Sequence, residues 1–195
     1  MQEENRKKAR AQKLAEQKRL YAAVREKTVQ HAALLEMLQA RLQKTNDIAA
    51  ARRLLVQILV VSAYIKRRSN LIFLADKTGE VPAQELLLCL NESAANLRLL
   101  GVKCACSLDF SGSMGSDCAG VLFDFYQAAI ENAFNTLQAL SVSVVRTDDG
   151  CSVCIMADCD GDLTDVIKDF AGARVVRQDG IWFCSLSVSE GGTSE

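Results

Sequence analysis

The sequence has little proline and little histidine. One proline stands in 195 residues, which predicts long helices with few irregular connections. One histidine is present, and no second C-x-x-C follows the one formed by Cys151 and Cys154. A zinc site is therefore a minor alternative to reduced, packed thiols. No Gly-Lys-Ser/Thr follows the glycine-serine turn around Gly112, which excludes a P-loop there.

The chain also lacks a strong net charge, a secretory signal and a run of apolar residues long enough to span a membrane. A net charge of −1 gives no electrostatic footprint for nucleic acid, and we expect no such partner. Residues 1–27 hold nine basic and four acidic side chains, typical of a solvated helix face or of a segment beside an anionic membrane. The longest apolar run, 54–65, is too short to cross a bilayer. With eight cysteines and a charged N-terminus, the sequence predicts a cytoplasmic protein with reduced thiols.

The first 78 residues predict a helical hairpin. A helix over 2–44 follows from its strong helix formers and its lack of glycine, and Asn46 or Asp47 can cap a second helix over 48–76. Because one hairpin has too little core alone, we expect two copies to form a four-helix bundle, which makes the protein a homodimer. The first helix carries one apolar seam, formed by Tyr21, Val24, Thr28, His31, Leu35, Leu38 and Leu42.

The remainder of the chain predicts a second domain over 83–195, after a linker over 76–82. Helical stretches over 83–100, 121–140 and 163–170 alternate with strand patterns. Asp148-Asp149-Gly150 and Asp179-Gly180 are hairpin turn signals. The order is helix, strand, helix, two strands, helix, two strands. The sequence therefore predicts an α+β fold, a two-layer sandwich with a mostly antiparallel sheet and helices on one face.

Four stretches carry a resemblance to a known family: "SAYIKRRSNLIFLAD", "AAIENAFNTL", "VSVVRTDDGCSVCIMADCDG" and "DGIWFCSLSVSEGG". Together with the order of elements, they resemble the cytoplasmic transmitter region of bacterial sensor histidine kinases. That region is a dimerising helical hairpin followed by an ATP-binding domain whose fold is shared with gyrase and related ATPases. The resemblance covers nearly the whole chain.

The resemblance implies two-component signal transduction, with ATP and Mg²⁺ as cofactors and a response regulator as partner. It implies that Asn132 is the Mg²⁺ ligand on the nucleotide phosphates, that Asp158 binds adenine, and that Gly161 lets the chain pass close to the base. It implies that His31 is the phosphoacceptor. The basic N-terminus suggests in addition that relatives, or a longer form of this protein, carry a membrane sensor ahead of Met1.

The sequence departs from the family pattern at several positions. Ala128 stands where relatives have a polar residue four positions before the asparagine, and Ala32 stands where an acidic residue follows the histidine. The lid segment that should clamp phosphates is short, has Gly172 alone where a G-x-G is expected, and carries added acidic residues. Two functions stay open: an ATP-dependent histidine kinase with a degenerate site, or a non-catalytic, pseudokinase-type dimeric scaffold. A serine kinase or anti-sigma regulator of the same ATPase fold is disfavoured, because it needs no helical hairpin.

Overall fold

A computed structural model describes residues 2–189. The last three residues of the stretch "DGIWFCSLSVSEGG" lie outside these described residues. Two long helices come first, and a layer of helices on a sheet follows. The elements are α1 (Gln2–Gln43), α2 (Ile48–Thr78), β1 (Glu80–Pro82), α3 (Ala83–Arg98), β2 (Lys103–Leu108), β3 (Ser113–Gly115), α4 (Ser116–Ala133), β4 (Ala139–Thr147), β5 (Gly150–Asp158), a 3-10 helix (Thr164–Asp169), β6 (Arg174–Gln178) and β7 (Ile181–Ser189).

The predicted helical hairpin is confirmed. Asp47 caps α2, because its Oδ2 accepts a hydrogen bond from the Ala50 amide at 2.7 Å. Leu38, Leu54 and Val61 form the small buried cluster between α1 and α2. Tyr21 departs from the predicted seam, since 68% of it is exposed. The hairpin by itself therefore buries few large side chains.

The segment predicted as a linker is folded. α2 continues to Thr78 and ends at Gly79, whose left-handed backbone (φ 72°) closes the helix. β1 then pairs antiparallel with β3, which places Val81 opposite Met114, and both side chains are buried. A three-residue strand is too short for its pattern to be recognised in sequence. Its pairing means that no unpaired linker separates α2 from the sandwich.

The predicted two-layer sandwich is also confirmed. The main sheet has the order β2-β4-β5-β7-β6, and only the β2–β4 pair is parallel. Both predicted hairpin turns are present, and Asp179 and Gly180 adopt positive φ values of 51° and 84°. α3 and α4 pack on one face of the sheet. The other face carries serine and alanine side chains together with Val145, Met156 and Val176, which are 36%, 38% and 59% exposed.

The helix predicted over 121–140 is shifted in the structure. α4 begins at Ser116 and ends at Ala133, and Leu140 belongs to β4, where it lies opposite Cys104 of β2. The prediction was wrong at this end because apolar residues at helical spacing also satisfy a short buried strand. The parallel pairing with β2 is a long-range contact that local spacing does not reveal.

One hydrophobic core joins the hairpin to the sandwich. Val56, Val60, Tyr64 and Leu71 of α2 pack in the same cluster as α3, α4 and the inner face of the sheet. The core thus crosses the boundary predicted between 1–78 and 83–195. α2 has the length and apolar composition of a membrane span, and here one of its faces is part of this core.

Candidate functional site

Asn132 lies in the last turn of α4, the helix at the centre of the candidate nucleotide site. α4 buries one face against β5 and β7, and Asn132 is on its exposed side. Its Nδ2 donates a hydrogen bond to the Ala128 carbonyl of the preceding turn at 2.8 Å. The amide oxygen is the atom of this side chain that a Mg²⁺ ion would bind.

Gly161 lies directly beside the end of α4. Its amide donates to Thr136 Oγ1 at 3.0 Å, and a Cβ at this position would come within 3.1 Å of the Asn132 carbonyl oxygen. The structure therefore brings Asn132 and Gly161 together. The contact that requires a glycine here is with the backbone of α4.

Asp158 is on the other side of the sheet. Along β5, Val153, Ile155 and Ala157 are buried, and Asp158 shares the opposite alternation with the half-exposed Met156. The inward position at this end of the strand belongs to Cys159, which is buried. Burial raises the pKa of the Cys159 thiol, so a neutral thiol faces the helices where a carboxylate would be needed to accept a bond from adenine.

The segment between β5 and β6, which would form the lid, packs on α4. Leu163 and Val166 are buried in the main core, and the Phe170 ring meets Phe125 of α4 edge-on, with centroids 5.2 Å apart. Apolar side chains of this segment are thus packed against α4. The present arrangement does not fit a Mg-nucleotide site built from Asn132, Asp158 and Gly161.

His31 contacts α4. Its Nε2 lies 3.2 Å from Glu131 Oε1, its ring centroid lies 4.2 Å from that of Tyr64, and 19% of its side chain is exposed. Glu131 also accepts a hydrogen bond from Gln127 Nε2 at 2.7 Å. Within residues 2–189, His31 Nδ1 is buried without a hydrogen-bond partner. A carboxylate therefore does lie beside the histidine, but α4 supplies it and the next residue of α1 does not.

Sequence reasoning missed this role of Glu131, although a signal was available. Glu131 precedes Asn132 in α4, and the side chains of consecutive helical residues point about 100° apart around the helix axis. Glu131 therefore points to a different side of α4 from Asn132, and α1 lies on the side of Glu131.

The basic stretch Lys66-Arg67-Arg68 is a second feature that the sequence did not resolve. Its composition is typical of a solvated helix face, yet all three side chains contact the sandwich. Lys66 and Arg67 both bind Glu92 of α3. Burial alone would raise the pKa of Glu92, but the hydrogen bonds from Lys66 and Arg67 outweigh it and hold the pKa below its usual range. Arg68 binds Asp124 of α4 at 2.8 Å and is 9% exposed in its side chain.

Comparison with known proteins found structural likenesses only. No protein-family model matches the chain, and no curated protein sequence matches it. A solved structure described as a bacterial phosphotransferase is 9% identical, with a TM-score of 0.49, over 88% of this chain and 95% of that one. The histidine kinase domain of the blue-light activated kinase EL346 from Erythrobacter litoralis is 11% identical, with a TM-score of 0.45, over 79% and 93% of the two chains.

A third similar structure is the histidine kinase ThkA in complex with the response regulator protein TrrA. It is 11% identical, with a TM-score of 0.39, over 90% of this chain and 62% of that one. Each of the three is a likeness of structure alone, at 9–11% sequence identity.

Proposed function

We propose that this chain is a non-catalytic, dimeric signalling module of the two-component type, in which the ATPase-like sandwich is a docking surface. One observation carries the proposal: Cys159, Leu163 and Val166, from the segment that would form the lid, are buried against α4. Binding of a nucleotide there would require these apolar side chains to leave the core. Fully exposing one such side chain costs about 1.5–3 kcal/mol, and nucleotide binding would have to supply that energy.

The environment of His31 supports the same proposal. A phosphoacceptor nitrogen needs access to solvent and to the phosphoryl donor. Glu131 covers Nε2 at 3.2 Å, and Nδ1 is buried. His31 then acts as a residue that joins α1 to α4, through a carboxylate on one side and the Tyr64 ring on the other.

An active histidine kinase is the second candidate, and a specific observation favours it. Gly161 lies beside the backbone of Asn132, and Asn132 is an exposed residue of α4. In that candidate Asn132 would bind Mg²⁺ on the nucleotide, Asp158 and Gly161 would bind the base, and His31 would accept the phosphoryl group. ATP and Mg²⁺ supply the phosphoryl group and its charge neutralisation. The lid segment would first have to open.

The proposed dimer forms through the hairpin, and its partner is a response regulator. α2 presents an exposed apolar stripe, defined by Leu55, Leu59 and Phe73, at 49%, 44% and 44% exposure. These residues lie within about 40° of each other around the helix, so a second copy can cover them together. All eight cysteines are free thiols, which supports a cytoplasmic location, alone or as part of a longer membrane-associated sensor.

Calorimetric titration with Mg-ATP tests the proposal. Wild type is compared with Asn132→Ala and Asp158→Ala, and Asn135→Ala is the matched control, because Asn135 is an exposed asparagine close to Asn132 with no predicted role. We expect no heat of binding at millimolar nucleotide for any of the four proteins.

Micromolar binding, about −8 kcal/mol, that is lost in Asn132→Ala and Asp158→Ala and kept in Asn135→Ala would refute the non-catalytic proposal. It would establish the kinase candidate instead. Incubation with radiolabelled ATP, comparing wild type with His31→Gln, would then decide whether His31 is the acceptor.

A further inference from the structure

α2 meets the sandwich at a group of polar side chains beside the apolar core, in which Tyr64 and Arg68 are buried and the Asp124 side chain is 25% exposed. The Asp124 carboxylate of α4 accepts bonds from Arg68 Nε at 2.8 Å and from Arg68 Nη2 at 3.2 Å. The Tyr64 hydroxyl donates to the same carboxylate at 2.8 Å. One carboxylate thus receives three hydrogen bonds from two residues of α2, and two of these form a planar, bidentate pair with a guanidinium group.

Gly120 makes room for this contact. A Cβ on Gly120 would lie 2.7 Å from Arg68 Nη2 and 2.8 Å from Cζ. Gly120 is in the interior of α4, where glycine destabilises a helix by about 1 kcal/mol relative to alanine. The guanidinium group rests on the α4 backbone at this point, and only a glycine allows that approach.

The contacts around this group extend over the whole length of α2. Tyr64 and Leu71 are buried in the core that α4 and the sheet share. The Arg52 guanidinium donates to the Leu99 carbonyl at 2.7 Å at one end of α2. At the other end, the β1–β3 pairing fixes the chain immediately after Gly79.

We infer that α2 and the sandwich are one rigid body, held in register by the Arg68–Asp124 pair, so that the sandwich does not swing on the hairpin. A continuous apolar core makes separation of the two parts unfavourable. The buried pair selects one docking position, because any other position would leave a buried charge without a partner. A displacement of α2 is therefore transmitted directly to the sheet, and the reverse also holds.

Hydrogen exchange followed by mass spectrometry tests this inference, and it does so whatever the ATP titration gives. Amides of α2 between residues 56 and 71 are compared with those of β5 in the wild-type chain. Segments of one cooperative unit open together, so we expect protection factors that agree within about tenfold. Protection in α2 that is lower than in β5 by ~100-fold or more would overturn the inference, because α2 would then separate from an intact sheet.

Asp124→Asn keeps the shape of the side chain and removes its charge. Lys66→Met is the control, since it removes an exposed charge from α2, the helix that carries Arg68. Loss of a buried partner should speed exchange in α2 and β5 alike, by ~100-fold, whereas Lys66→Met should change neither segment by more than about threefold. Faster exchange confined to residues beside the substitution would contradict a rigid body. If Asp124→Asn does not fold, the wild-type comparison decides alone.

Discussion

Alanine at position 120 provides a test in which local propensity and tertiary contact predict opposite signs. On propensity alone, Gly120→Ala in a helix interior should stabilise the protein by about 1 kcal/mol. In the structure the new Cβ would lie 2.7 Å from the Arg68 guanidinium, closer than any ordinary contact. Arg68 is buried and paired, so moving it breaks its bidentate contact with Asp124.

Losing a partner from a fully buried pair costs about 3–5 kcal/mol. Because 25% of the Asp124 side chain is exposed, the net destabilisation should be at most about 2–4 kcal/mol. For a chain of this length, that lowers Tm by about 4–16 °C. Urea denaturation and thermal melts of wild type and Gly120→Ala measure the difference directly.

The same substitution in an Arg68→Ala background provides the control. Without the guanidinium group the clash disappears, and Gly120→Ala should then stabilise by up to about 1 kcal/mol. The sign of the effect therefore reverses between the two backgrounds. Equal effects of Gly120→Ala in both backgrounds would refute the reasoning, because the cost could not then come from Arg68.

Three further predictions concern pH, assembly and thiol reactivity. The pKa of Glu92 in the folded protein lies below its usual 4.5. The ionised Glu92 therefore contributes fully to folding stability above pH 4.5, and this contribution is lost as the pH falls through the lower pKa of the folded state. Melts from pH 7 to pH 3 should show Glu92→Gln approaching wild type as the pH falls, and a difference that grows in acid would contradict this. The double substitution Leu55→Lys and Leu59→Lys places two charges on the exposed stripe of α2. Light scattering should then give the mass of one chain, whereas the wild type gives the mass of two. An unchanged mass would count against this dimer surface. Burial raises the pKa of the Cys89 thiol to about 12, so its thiolate fraction at pH 8 is about 10⁻⁴. Iodoacetamide labelling with peptide mapping should therefore modify the half-exposed Cys154 first and Cys89 only on unfolding. Early labelling of Cys89 would show that its site opens.

Features with a local physical cause were predictable from the sequence. The long helices follow from helix-forming residues without glycine, and Asp47 caps α2 through its own side chain. The turns at Asp148-Asp149 and Asp179-Gly180 also follow from local backbone preferences. These elements, in their order, were sufficient to predict the two-layer sandwich behind a helical hairpin.

The roles given to Asn132, Asp158 and Gly161 stay predictions, and the structure shows where these residues lie. Gly161 lies beside the backbone of Asn132, a contact that the sequence did not predict. The alternation that places Cys151 and Cys154 on opposite faces of β5 also places Asp158 on the face away from the helices, and the sequence already contained that signal. The packing of Leu163 and Val166 against α4 was not predictable, since a short apolar segment carries no information about its partner.

Only the tertiary structure determined how the two halves of the chain meet. Lys66, Arg67 and Arg68 have the composition of a solvated helix face, and no local rule separates that function from a buried ion pair. Arg68 is buried because Asp124 and the bare backbone of Gly120 lie opposite it, and these residues are more than fifty positions away in the chain. The sequence determines which segments form helices and strands through interactions between neighbours. Which charges are paired, and which pocket is filled, depends on distant segments that meet only when the core forms.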